Sequence, residues 1–181
     1  VDTDLYLIAL VPPPPLREQV RALKWEMQRK FGAGHALKAP AHITLQGPFR
    51  LARDRRDELE ATLRHVAGLQ HPFMVTLKDF DHFSTRVVFI RIEDHTPVVT
   101  LEARLGAVLS ATQLLPVRPR ARPFHPHMTI ATRDLGEVDF QAAWPLFRER
   151  NFNGSFTASS LYILKHNGDT WDIHTEYTFG K

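Results

Sequence analysis

Two short segments of the chain carry the residue types that do chemistry. PAHITL contains His42 and Thr44, and PHMTIA contains His127 and Thr129. Imidazole has the side-chain pKa closest to neutrality, so two of them can serve as one proton donor and one proton acceptor. In an extended strand, residues i and i+2 share a face, which sets His42 beside Thr44 and His127 beside Thr129. Ile43 and Leu45, like Met128 and Ile130, then point the other way and anchor each strand in a core. If the two polar faces converge on one cleft, two imidazoles and two hydroxyls surround a small anion. One neutral ring removes a proton from the attacking oxygen, and a protonated ring gives one to the leaving oxygen. The threonine hydroxyls bond the non-bridging oxygens where charge builds. That arrangement suits phosphodiester cleavage, and the hydroxyls can do their part without a metal.

The elements that must hold these segments recur in one order. Leu5 to Val11 is an apolar run of strand length, stopped by PPPP, which makes a rigid connection. Leu16, Val20, Leu23, Met27 and Phe31 then recur at helical steps until Gly32 and Gly34 end them. PAHITLQGPF follows as a strand of about five residues bracketed by proline and Gly-Pro. Leu59, Leu63 and Val66 signal a second helix. Phe73, Val75 and Leu77, with Val87 to Ile92, suggest an antiparallel hairpin. From Pro97 the pattern repeats: a helical stripe at Val98, Leu101, Leu105, Val108 and Leu109, an arginine-rich connection, then the second motif. Phe140, Trp144 and Phe147 mark a further helix that Pro145 either kinks or begins. Leu161 to Lys165 and the alternating strand Trp171 to Phe179 close the chain as a hairpin. Its turn, HNGD, calls for positive φ angles at Asn167 and Gly168. In that strand Trp171, Ile173, Thr175, Tyr177 and Phe179 should share one face.

The two motif histidines stand 85 positions apart, and that offset carries the first strand and helix close to the strand at Val87 and the helix from Val98. This spacing implies an internal duplication. The expected fold class is α+β, with two pseudo-twofold-related lobes of antiparallel sheet, helices on their outer faces and a central cleft. All of residues 1–181 would form one domain of intertwined lobes, with the halves at about 1–92 and 93–181.

Composition bounds the reading. Hydrophobic residues at 43% and charged residues at 24% are those of an ordinary globular domain, which sets aside disorder and fibrous architectures. The chain has no cysteine, so disulfide frameworks, thiolate metal sites and cysteine nucleophiles drop out. No stretch approaches a membrane span, and LYLIALV lacks the flanks of a signal peptide, so a cytoplasmic location is expected. A net charge of +3 favours an anionic ligand. Much of it lies at Arg118, Arg120 and Arg122, either a solvated basic loop or a guide for an RNA backbone.

The other histidines are weighed against the motif pair. His35, His65, His71, His82, His95, His166 and His174 have no partner pattern. His125 and His127 could share a strand face and bind a metal, but no carboxylate stands near to complete the ligand set. Positioning the loop or touching substrate suits His125 better. Phe49 and Phe124 could stack on a base or fill the core, and Tyr162, opposite in face to Leu161 and Ile163, could reach the cleft.

PAHITL and PHMTIA resemble the paired His-x-Thr-x motifs of the two-histidine phosphoesterase superfamily, most closely the bacterial 2′-5′ RNA ligases and RNA 2′,3′-cyclic phosphodiesterases. The resemblance covers essentially the whole chain, because the duplicated element order and terminal hairpin also fit that bilobal fold. It implies His42 as proton donor, His127 as proton acceptor, and Thr44 and Thr129 as phosphate ligands, although the residues alone leave the two histidine roles interchangeable. It further implies opening of a 2′,3′-cyclic phosphate at an RNA or nucleotide end to a 2′-phosphate. ATP-independent 2′-5′ joining of RNA ends would accompany it in some members. No cofactor, no metal and no membrane partner is expected, and the chain is expected to be a monomer. Arg133 falls one place later than the basic residue that several relatives carry after the second motif, which would turn it to the opposite strand face. Alternatives are another small phosphodiester, such as a 2′-5′ oligonucleotide or ADP-ribose cyclic phosphate, and a non-catalytic RNA end-binding module.

Overall fold

A computed structural model describes residues 1–116 and 120–181. Arg118, expected in the basic connection, lies outside the described residues. The first strand, β1 (Thr3–Leu10), is followed by helix α1 (Pro14–Phe31). Pro14 and Pro15 are not a spacer but the first turn of that helix, where a missing N–H removes no intrahelical bond. Helix α1 ends where expected, at Gly32, whose φ of 67° supplies the left-handed cap. Its buried stripe is Leu16, Val20, Lys24 and Met27, so a lysine occupies a place the periodicity assigned to Leu23.

Strand β2 (Ile43–Ala52) is ten residues long, twice the expected length. Gly47-Pro48 does not stop it because β2 is the edge of its sheet. There, proline's missing donor faces no partner, and the register with β1 shifts between Tyr6 and Ile8 to absorb the extra residue. Helix α2 (Arg56–Leu69) and the hairpin of β3 (Phe73–Phe83) and β4 (Val87–Ile92) form as expected. The second round brings α3 (Thr96–Ala111), β5 (His127–Ala131) and α4 (Glu137–Arg148). Pro145 lies within α4 and does not begin it. Strand β6 (Asn153–Ala158), unanticipated, pairs with β3.

The chain closes with β7 (Ser160–His166) and β8 (Trp171–Thr178). Their turn differs from the expected one: only Gly168 has positive φ, at 104°, while the Asn167 side chain accepts hydrogen bonds from the Asp169 and Thr170 amides. The single face expected for β8 is also broken. Ile163 pairs with Thr175 but Leu164 with Ile173, so the register slips by one residue at His174. Tyr177 therefore joins the main core, whereas Trp171 packs in a separate cluster with Leu7, Ala9, Val11 and Leu164.

Two four-stranded antiparallel sheets result, in the orders β2-β1-β7-β8 and β5-β4-β3-β6. The orders mirror each other, with each motif strand at an edge and its predecessor beside it. The helices cross over between lobes. Helix α1, which links two strands of the first sheet, packs on β5 and β6 of the second, and α3, which links β4 and β5, packs on β2. One continuous buried cluster runs through both lobes.

Two polar ties reinforce the crossing. The Asp134 carboxylate, just beyond β5, accepts the backbone N–H groups of Gly34 (3.0 Å) and His35 (2.9 Å), at the start of the 3₁₀ turn His35–Lys38 that leads towards His42. Glu26 of α1 receives both guanidinium arms of Arg150, each at 2.8 Å, beyond α4. Hydrogen bonds from Arg150, then from Lys30, hold the Glu26 carboxyl down to about 2 despite its partial burial. A carboxylate pKa depressed by folding contributes stability above its unfolded value, near 4.5, and loses it as pH falls towards 2. Replacing Glu26 by Gln should therefore cost about 1–2 kcal/mol at pH 7, the lower end being set by the partly exposed Arg150. In urea unfolding the gap between parent and variant should close between pH 4.5 and 2; a gap independent of pH would assign the loss to packing.

Candidate active site

The two motifs meet where the sheets meet. Edge strands β2 and β5 approach with Cα atoms within 8 Å. Thr44 stands opposite Ala9, and Ala9 opposite Tyr162, so these three share one sheet face; Thr129 stands opposite Phe89 and His127 opposite Arg91 on the other sheet. His42 immediately precedes β2, and His127 is the first residue of β5. Both rings are half-buried, while Ile43, Met128 and Ile130 are wholly buried and Leu45 nearly so. The alternation read from the sequence holds at both motifs.

Each ring is held by the same local device. His42 Nδ1 lies 2.7 Å from the carbonyl oxygen of Pro40, and His127 Nδ1 lies 2.7 Å from that of His125. A carbonyl can only accept, so in the neutral rings Nδ1 carries the hydrogen and Nε2 keeps its lone pair. The acceptor is in each case two residues back, with proline at Pro40 or Pro126 restricting the approach to the motif. The repetition gives the site two like-oriented tautomers, each with one nitrogen committed and one available.

Burial is the main cause of the low proton affinity of both rings. His42 is pushed down to about 4 by burial, with Lys24 and His127 adding to it against the Pro40 hydrogen bond. His127 is also lowered, by burial first and by His125 next, against the bond to the His125 carbonyl. Both rings are thus neutral at pH 7, and a negative charge placed beside them would favour their imidazolium forms.

A cavity of about 500 Å³ opens at this junction. Thr44 and His127 line it together with Phe83, Phe124, Arg120 and Arg122. His42 and Thr129 are not among its wall residues, although His42 is near enough to feel the charge of His127. Phe83 and Phe89 set their rings 4.9 and 5.1 Å from that of His127. Arg120 is paired with the buried carboxylate of Glu102 on α3 and lies over the Phe124 ring, 5.5 Å from its centre. A cation so tied stands at the wall of the cavity.

The remaining expectations sort as follows. His125 lines the cavity, edge-on to His95 at 4.8 Å, and among the described residues no cluster of three metal-type ligands exists. Phe49 is core, whereas Phe124 is half-buried against the core and lines the cavity. Tyr162 shares the face of Thr44 and donates to Glu176 at 3.1 Å. Arg133 is not on a continued strand: β5 ends at Ala131, and Arg133 turns the chain with φ of 57° and sits near His35. The sequence reading missed Phe83, Phe89 and Lys24. Phe89 lies inside Val87 to Ile92, which the pattern marks only as a hairpin strand, and the one sign of Lys24 is its place four residues after Val20 on the apolar stripe.

Residues 12–170 match the family described as the 2′-5′ RNA ligase superfamily. A Bacillus pumilus protein named "putative phosphoesterase" is 24% identical over 181 residues, covering 97% of this chain and 98% of its own. Among solved structures, E. coli LigT in its apo form superposes with a TM-score of 0.72 at 17% identity, covering all of both chains. LigT complexed with 3′-AMP gives 0.67 at 16% identity, over 99% of this chain and 100% of that one. These likenesses carry the fold.

Nitrogen-detected NMR of the histidine rings should find Nδ1–H tautomers at both His42 and His127, with His42 titrating near pH 4 and His127 below the ordinary 6.5. Inorganic phosphate should raise both titrations. A hydrogen on Nε2 of either neutral ring would contradict the geometry.

Proposed function

The chain belongs to the 2′-5′ RNA ligase superfamily, and we propose that it is a phosphodiesterase that opens 2′,3′-cyclic phosphates at the ends of RNA or nucleotides, using His42 and His127 as its acid and base. The observation that carries this reading is the repeated carbonyl-locked imidazole, which leaves each Nε2 without a hydrogen-bond partner among the described residues, where β2 and β5 come together.

In the proposed reaction water attacks phosphorus and the P–O3′ bond breaks. His127 takes the proton of the water, and protonated His42 gives one to the departing 3′ oxygen, leaving a 2′-phosphate and a 3′-hydroxyl. The surroundings of the rings support that order. His42, held down to about 4, is a strong acid once protonated, and His127, lowered by its burial, is neutral at pH 7 and able to accept a proton. The negative charge of the bound phosphate favours uptake of one proton from solvent by the pair. Thr44 and Thr129 would bond the non-bridging oxygens. Proton transfer by the two rings accounts for both bond changes without a metal.

The substrate class rests on the walls. Phe83 and Phe124 offer faces to a nucleobase, and Arg120 and Arg122 offer charge to a phosphate backbone. LigT, of the same fold, has been crystallised with 3′-AMP, which supports a nucleotide in the cleft here. With an RNA 5′-hydroxyl in place of water as the nucleophile, the same acid and base would open the ring by breaking P–O3′ and join the ends through a 2′-5′ linkage without ATP.

His42→Ala and His127→Ala should each lower turnover of a nucleoside 2′,3′-cyclic phosphate by about 10²–10⁴-fold, with 2′-phosphate as the parent's product and a chelator leaving the parent unaffected. Undiminished turnover in both variants would exclude the mechanism. A panel including 2′-5′ oligonucleotides and ADP-ribose cyclic phosphate fixes the substrate. A parent protein that binds the cyclic end and releases no product would be an end-binding module.

A further inference from the structure

Lys24 occupies a position that helix α1 otherwise gives to apolar side chains. It stands in the buried stripe with Leu16, Val20 and Met27 and is 3% exposed. Its ammonium donates one hydrogen bond, to the Ala39 carbonyl at 2.9 Å, and no carboxylate oxygen lies within 4.0 Å of it among the described residues. Burying an ammonium without a counter-charge works against folding, and a methionine or leucine would fill the stripe more favourably. The residue therefore does something that the fold does not require.

Its surroundings say what. Lys24 borders a cavity of about 40 Å³ lined also by Ala39, Pro40 and Ala41, the segment that delivers His42, and by Arg17, Glu18 and Arg21 of its own helix. Two successive carbonyls of that segment are held from two sides: that of Ala39 by Lys24, and that of Pro40 by the His42 ring. The charged and titratable groups facing this corner are thus Arg17, Glu18, Arg21 and Lys24 from α1, and His127 across the junction. Among the described residues the other half has no counterpart. Helix α3, which stands to β2 as α1 stands to β5, buries Val98, Leu101, Glu102, Leu105 and Leu109 and no basic residue.

We propose that Lys24 is a positioning residue for His42: it ties down the Ala39–Ala41 segment that orients the ring, and its charge drives the proton off that ring towards the substrate. The proposal rests on His42 being the proton donor of the phosphodiesterase reading. Lys24 is among the groups that hold His42 down to about 4, after burial. Burial and then Arg21 lower Lys24 itself to about 8, so it is charged at neutral pH and its effect fades as pH rises through that value. Together with burial it makes the two chemically identical rings unlike, and so gives the pair a direction.

Lys24→Met removes the charge at similar volume, and Lys24→Gln removes it while keeping a donor for the Ala39 carbonyl. In both, the His42 ring, followed by NMR without substrate, should titrate at higher pH by roughly half to one pH unit, while His127 moves less. The limb of the kcat/KM profile belonging to His42 should move with it. Lys24→Met should be at least as resistant to urea as the parent. A His42 titration that stays in place in both variants overturns the proposal, as does a Lys24→Met protein that is less stable or fails to fold, since the ammonium would then serve packing. The titration needs no turnover, so its failure is separable from that of the phosphodiesterase reading, which is lost if the parent converts no cyclic phosphate.

Discussion

The edge of one sheet must meet the edge of the other. β2 and β5 each lie at the end of their sheet, and an unpaired edge is ordinarily a hazard that proteins cover or distort. Here the two edges cover each other, and the residues opening both strands are the motif histidines. Proton transfer tolerates little misplacement, since a displacement of about 1 Å can cost on the order of 100-fold in rate. The spacing of the pair is therefore a property of the lobe interface, and the cross-lobe features serve it together: exchanged packing of α1 and α3, the Asp134 grip on Gly34 and His35, and the Glu26–Arg150 pair. Asp134 links them most directly, because it lies a few residues after the second motif and holds the turn that precedes the first.

A second economy lies in the tautomers. An imidazole in a loose pocket can present either nitrogen, and two such rings would give four combinations. Committing both Nδ1 hydrogens to carbonyls two residues back leaves a single combination, with both lone pairs available. The same burial that fixes the rings lowers their affinity for protons. On the phosphodiesterase reading proposed above, an anion held between the rings would favour their protonation, which would couple binding to activation.

The parts of this arrangement written in local pattern were legible without coordinates. The His-x-Thr spacing fixed which side chains share a face, Gly32 marked the end of α1, and the 85-residue offset announced two equivalent halves. What stayed hidden depends on neighbours in space. Gly47-Pro48 looked like a strand end because sequence does not say that β2 is an edge, where proline is harmless. The bulge at His174 turned Trp171 to the other face, and no periodicity survives a one-residue slip. Strand β6, with Gly154 and Ala158 among few apolar residues, is defined by pairing with β3 more than by its own composition. Lys24 was invisible because a lysine on a helix is ordinarily at the surface, and its burial follows from the exchange of helices between lobes.

The near-symmetry of the frame makes its departures informative. Opposite Thr44 stands Ala9, and opposite Thr129 stands Phe89. Beyond Ala9 the first sheet continues with Tyr162, whose hydroxyl is spent on Glu176, while beyond Phe89 the second continues with Asp81. Phe83 and Phe89 crowd His127, and Phe124 and the two arginines gather on the same side. The buried cation stands on the other side, behind His42. A phosphate is nearly symmetric and can be met by a nearly symmetric pair of rings, but a nucleoside attached to it is not. On the proposed reading, proton chemistry uses what the two halves share, whereas orientation of a substrate comes from the places where they differ: aromatic and guanidinium surface beside His127, a buried ammonium behind His42.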